Sequence, residues 1–75
     1  MKTAQRLTAI IEREEDGFVA LCPKFDIASE GTSIEEARSN LIEALTLFFE
    51  TASPSEVTRR FHDEVVVTQV EVPVG

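Results

Sequence analysis

Ser33-Ile34-Glu35-Glu36-Ala37-Arg38-Ser39-Asn40-Leu41-Ile42-Glu43-Ala44-Leu45-Thr46-Leu47-Phe48-Phe49 is the stretch from which the fold can be read. It opens with the form of a capping box. The Ser33 hydroxyl can accept from the Glu36 amide while the Glu36 carboxylate returns to the Ser33 amide, so a helix is predicted to begin there. Ile34, Ala37, Leu41, Ala44, Leu45, Phe48 and Ala52 then recur at three- and four-residue steps, which is one helical face, and Ile42 and Phe49 widen the stripe. Glu36, Asn40, Glu43 and Glu50 take the opposite face, and Leu47 sits among them as either an exposed leucine or part of a contact surface.

Upstream of the helix the periodicity shortens. Leu7 to Glu14 is rich in β-formers and breaks at Glu15-Asp16-Gly17, where Asp-Gly signals a hairpin. Phe18-Val19-Ala20-Leu21-Cys22 reads as the second strand of that hairpin, ended by Pro23. Asp26 to Glu30 is a short third strand, closed by Gly31 with freedom for positive φ.

Downstream, Ser53-Pro54-Ser55-Glu56 repeats the capping signal with proline at the first helical position, which predicts a short helical turn toward Phe61. From Glu64 to Val72 the sequence is strongly β-branched and predicts a last strand, before Pro73-Val74-Gly75. The expected fold is therefore α+β: an antiparallel β-sheet with one main helix on one face, in the order β-β-β-α-(short α)-β, forming one domain over residues 1–75. Phe18 to Cys22 and Val65 to Val67 are unbroken apolar runs, which implies strands shielded on both faces. One helix covers only one face. The other face, or an exposed edge, is expected to meet a second copy or a different protein, with Leu47, Val65 and Val67 as interface residues.

Composition points the same way. A 75-residue domain buries about 60% of its unfolded surface, and small domains often rely on disulfides, a metal or a partner subunit. With the single cysteine Cys22 no internal bridge can form, so a partner subunit is the leading expectation. Fourteen acidic residues against seven basic ones give a net charge of -7, a field that repels phosphate backbones and anionic lipid and suits a basic protein. The amino-terminal Met1-Lys2-Thr3-Ala4-Gln5-Arg6 has no apolar core of signal-peptide length and no segment reads as a membrane span, so the expected location is cytoplasmic.

Residues that carry chemistry are scarce. Cys22 and His62 are the only soft or imidazole groups, too few for the usual zinc spacing, and Cys22 lies in an apolar strand where a thiol acts as a small hydrophobe. His62 reads as a loop residue. Carboxylates cluster at Glu12 to Asp16 and at Glu35-Glu36, but the first group brackets a hairpin and the second starts a helix, where negative charge complements the macrodipole. Gly17, Gly31 and Gly75 are far apart and form no phosphate loop. Arg59-Arg60 is the only basic pair and reads as a solvated helix end. Neither a catalytic centre, a cofactor site nor a metal site is expected.

Asp16-Gly17-Phe18-Val19-Ala20-Leu21-Cys22-Pro23, then Ala28-Ser29-Glu30-Gly31-Thr32-Ser33-Ile34-Glu35-Glu36-Ala37, then Asn40-Leu41-Ile42-Glu43-Ala44-Leu45 with Phe48-Phe49-Glu50, resemble the HicB antitoxin family in content, order and spacing. The resemblance continues through Thr51 to Glu56 and the final valine-rich segment, and it is to a short stand-alone subgroup. It implies a partial ribonuclease-H-like fold that forms dimers or larger assemblies. It also implies a role in a type II toxin-antitoxin module, in which the antitoxin neutralises HicA, a small basic ribonuclease that cleaves messenger RNA. Many members carry a carboxy-terminal DNA-binding domain; none is expected here, so no direct nucleic-acid contact is expected either.

Two functional expectations follow. In the first, the chain is a non-catalytic binding module whose helix carboxylates Glu36, Glu43 and Glu50 face a small basic toxin and occlude its RNA-binding surface. In the second, it is a homo-oligomeric domain with a small-ligand or structural role and no toxin partner. A metal-dependent hydrolase is suggested only by the ribonuclease-H-like topology, and a fold does not carry its activity with it.

Overall fold

The computed structural model describes residues 5–61 and 65–75. β1 (Ile10–Glu14), β2 (Gly17–Cys22) and β3 (Ile27–Gly31) form an antiparallel sheet in the order β1-β2-β3, followed by α1 (Ile34–Thr51) and α2 (Pro54–Arg60). The α+β class and the succession of three strands, a long helix and a short helix follow the sequence reading.

The register sorts the side chains. Ile11 pairs with Ala20 and Ala20 with Ser29, while Cys22 pairs with Ile27, which places Ile11, Phe18, Ala20, Cys22 and Ile27 on the inner face. Ala20 and Cys22 are fully buried there beneath Ala37 and Leu41 of α1, and Phe25 completes the buried core. Leu7, Leu45, Phe48 and Val57 pack around it, so both helices lie on the inner face. Arg13 shares that face and is accommodated by stacking its guanidinium 4.7 Å from the Phe18 ring centroid.

Both helices begin where their caps predict. Ser33 Oγ accepts from the Glu36 amide at 3.0 Å, and Ser53 Oγ accepts from the Glu56 amide at 3.2 Å, with Pro54 opening α2. One half of the first box differs from expectation. The Glu36 carboxylate reaches past Ser33 to accept from the Thr32 amide at 2.6 Å and the Thr32 hydroxyl at 3.0 Å.

Two glycines also act differently from their sequence reading. The hairpin loop is Glu15–Asp16, and Glu15 takes the left-handed conformation at φ 34, so Gly17 is already in β2. Neither Gly17 nor Gly31 has positive φ. A Cβ on Gly17 would lie 2.7 Å from the Gly31 carbonyl oxygen, and one on Gly31 would lie 2.6 Å from the Ala37 amide nitrogen. Close backbone approach, not turn geometry, requires them.

The expected last strand is absent. Residues 65–75 have no regular secondary structure, and Glu64, like His62, lies outside the described residues. β-propensity measures how well a residue fits a paired, half-buried surface, and this segment has no partner strand within its own described chain. Val66, Val67, Val70 and Val72 are 64–79% exposed as a result.

Candidate interaction surfaces

Four of the phenylalanines anchor the sheet to its helices. Phe25, in the loop between β2 and β3, lies with its ring centroid 5.7 Å from Phe48, 5.0 Å from Phe49 and 5.6 Å from Phe61. Arg60 closes this corner, its Nε donating to the Phe25 carbonyl at 3.3 Å and its Nη2 to the Asp26 carbonyl at 3.2 Å. The reading of Arg59-Arg60 as a purely solvated helix end is corrected for Arg60; Arg59 pairs with Glu56 at 3.4 Å. This framework holds three surfaces in fixed relation.

The first is the helix stripe. Glu36, Glu43 and Glu50 recur every seven residues along the exposed side of α1, and Leu47, 59% exposed, lies between the last two. The three carboxylates are not equivalent. Glu36 is committed to Thr32, whose amide and then hydroxyl hold its carboxyl below the usual value of 4.5. Its helix-capping role is thus set by the chain itself, whereas Glu43 is exposed on the same side of α1.

The second surface is the back of the sheet, a face that the sequence reading expected to meet a partner but for which it named none of the residues of β1, β2 or β3. The register puts Ile10, Glu12 and Glu14 of β1, Val19 and Leu21 of β2, and Ala28 and Glu30 of β3 on the face turned away from the helices. An apolar centre of Ile10, Val19 and Leu21 is rimmed by three exposed carboxylates, Glu12, Glu14 and Glu30, and no strand residue on this face is basic. The alternation Ile10-Glu12-Glu14 against Ile11-Arg13 carried the signal, but the acidic cluster reads equally as a hairpin flank.

The third surface is a groove of ≈ 1030 Å³ beside β1, between residues 5–9 and α1. Leu7, Leu41, Ile42, Leu45 and Phe49 line it, with Arg6, Arg38 and Glu50 as its charged residues. Ile42 and Phe49, which widen the helix's apolar stripe in the sequence, remain 49% and 41% exposed because the groove is open. Val65 is partly buried and Val67 64% exposed in the tail, so the residues expected at an oligomer interface fall on two surfaces, Leu47 belonging to the helix stripe.

Among the described residues no group of three or more His, Cys, Asp and Glu side chains is placed to hold a metal ion, and no helix is long and apolar enough to cross a membrane. Cys22 is fully buried, with its thiol inside the core. Compared with known proteins, the chain matches no family model, no curated protein and no solved structure.

Proposed function

We propose that this chain is a non-catalytic protein-binding module that acts as a homo-oligomer and neutralises a small basic RNA-cleaving protein, as the resemblance to HicB antitoxins implies. The observation that carries the reading is the back of the sheet: an apolar centre ringed by Glu12, Glu14 and Glu30, on a chain of net charge -7. Desolvated apolar contact supplies affinity in such a surface, and the carboxylate rim steers a basic partner and fixes its orientation. Glu43 and Glu50 on the helix stripe extend the same sign of charge over a second side of the molecule. Occupying the cationic surface with which such a toxin grips RNA is sufficient for inhibition, and no bond needs to be made or broken. The burial of Cys22 fits a module without a nucleophile. The finer ribonuclease-H-like description belongs to this proposal, since it requires the valine-rich tail to join a sheet.

Co-purification with the small basic protein encoded beside it tests this reading. The expected result is a complex that blocks RNA cleavage and whose association slows as salt rises. Absence of any complex at low and moderate salt overturns the neutralising role and leaves the homo-oligomeric domain without a toxin.

A further inference from the structure

One long helix is too narrow for three strands. Neighbouring strands lie about 4.8 Å apart and a helix with its side chains is about 10 Å across. α1 accordingly packs on β3 and β2 and barely touches β1. The lane left open beside β1 and the residues before it is the groove of ≈ 1030 Å³. Its wall is a stripe on α1: Ile42, Leu45 and Phe49 stand three and four residues apart and line it together. That is the spacing at which a helix receives the side chains of a second helix packed about 8–10 Å away.

The groove also gathers the cations that the chain leaves uncommitted. Arg13 stacks on Phe18, Lys24 lies with Nζ 5.1 Å from the Phe61 ring centroid, Arg59 pairs with Glu56, and Arg60 donates to two loop carbonyls. Arg6 and Arg38 remain. Their guanidinium groups make no ion pair, hydrogen bond or ring contact among the described residues, and both line the groove. Glu50 lines it too and is engaged within the chain; with it counted, one positive charge is still in excess there, on a molecule of net charge -7.

The two arginines stand toward opposite ends. Gly31 meets the turn of α1 at Ala37 and pairs with Phe18, which pairs with Arg13, so the start of α1 lies by the end of β1. β1 and the residues before it therefore run antiparallel to α1, which sets Arg6 toward Phe49 and Arg38 at the other end. Arg38 to Phe49 is eleven residues of helix, roughly 16 Å at about 1.5 Å each, or about three turns.

We propose that this groove is a second docking site, separate from the sheet back, and that it takes an acidic amphipathic helix of a partner protein. The helix is about three turns long, is apolar at i, i+3, i+4 and i+7, and carries Asp or Glu toward both Arg6 and Arg38. Cations at both ends of an apolar lane favour it over an amphiphile with a single charged end. The helical spacing of the wall favours it over an extended strand, and the sign of the charge separates its partner from the basic one suited to the sheet back.

Titration of the full chain with two synthetic helices tests the proposal. Each is about 18 residues, long enough to hold helical form in water; one sets a leucine stripe among glutamates, the other the same stripe among lysines. The glutamate helix is expected to shift the Ile42 and Leu45 methyls and the Arg38 side-chain signal in NMR spectra, and to gain helical circular dichroism as it binds. Arg6→Glu with Arg38→Glu is expected to weaken its binding about tenfold or more, and Ile42→Asn to weaken it with every charge kept. All three positions are exposed, so the fold is expected to persist in both variants. Equal binding of the two helices at the groove, or shifts confined to the sheet back, overturns the proposal. So does binding without helical gain, as an extended strand, or a groove held by the chain's own tail or a second copy and not released to the glutamate helix. Dodecanoate shifting the same methyls where the helix does not would overturn it in favour of an amphiphile. None of these outcomes bears on the toxin-neutralising reading, whose surface is the sheet back.

Discussion

Asn40 holds the Glu30 main chain: its amide nitrogen lies 2.8 Å from that carbonyl oxygen and ties the second turn of α1 to the last residues of β3. The bond closes one edge of the sheet to further pairing and sets how the helix crosses it. Replacing Asn40 with Ala should cost about 1 kcal/mol, the usual net worth of such a bond, in urea unfolding. It should also expose the Glu30 carbonyl, so the variant is expected to self-associate more readily at high concentration.

Gly31 makes the same crossing possible from the other side. With 2.6 Å between an added Cβ and the Ala37 amide nitrogen, and 2.8 Å to the Glu36 carbonyl carbon, Gly31→Ala forces backbone, not a flexible side chain, to move. A loss of roughly 2–3 kcal/mol is expected from this overpacking. Ser33→Ala, which removes only the hydroxyl cap of the same helix, should cost about 1 kcal/mol. Thermal unfolding of the two variants side by side checks the ranking, and a Gly31→Ala protein as stable as wild type contradicts the packing described.

Glu36 gives a pH signature. Its carboxyl is held below its usual 4.5 by the Thr32 amide and, to a lesser extent, the Thr32 hydroxyl. A folded-state value depressed below the unfolded one contributes stability that is fully present above the unfolded value and is lost as pH falls through the folded one. The stability advantage of wild type over Glu36→Ala should therefore be constant near neutrality and shrink in acid, below pH 4.5. Carboxyl titration by carbon NMR should place the Glu36 midpoint below the usual value, and Thr32→Val should move it part of the way back, because the amide donor remains.

Arg60 is expected to be the residue that docks α2. It donates to two carbonyls of the β2–β3 loop and lies with its guanidinium carbon 5.5 Å from the Phe48 ring centroid. A seven-residue helix is too short to persist unsupported. Arg60→Gln should lower stability by about 1.5 kcal/mol and raise amide exchange in α2 more than in α1. Equal exchange in both helices would place the docking energy elsewhere.

Local signals were the legible part of this fold. The caps at Ser33 and Ser53, the stripe from Ala37 to Phe48 and the β-branched strands each depend on neighbours in sequence, and each element begins within a few residues of where they place it. What could not be read depends on distant residues meeting. Phe25 is 3% exposed because Phe48, Phe49 and Phe61 converge on it, and nothing adjacent to it in the chain announces that. Gly17 and Gly31 look like turn residues and are instead points of close approach. The valine tail was expected to be a strand because its residues are β-branched, yet it has no regular secondary structure, since pairing needs a neighbouring strand that local propensity does not supply. For the candidate sites, the sequence exposed the helix stripe, since a seven-residue spacing is visible in one element. The sheet back needed the register of three strands.

The two acidic surfaces make separable predictions about a basic partner. Glu12 and Glu30 flank the apolar centre on the sheet back, one on each side of Val19, whose register pairs it with both. Glu43 stands on the helix, away from that face. If the sheet back is the contact, Glu12→Lys with Glu30→Lys should slow association with the partner and speed dissociation, because their charges border a surface that becomes desolvated. Glu43→Lys should then change the association rate only modestly, as a charge outside the contact does through long-range steering, and the change should vanish once salt shortens the screening length to a few ångströms. Val19→Ala, which keeps every charge, should leave the association rate alone and raise the dissociation rate. Stopped-flow and surface-binding measurements at two salt concentrations resolve these cases, and a partner insensitive to Glu12, Glu30 and Val19 but lost with Glu43→Lys moves the contact to the helix.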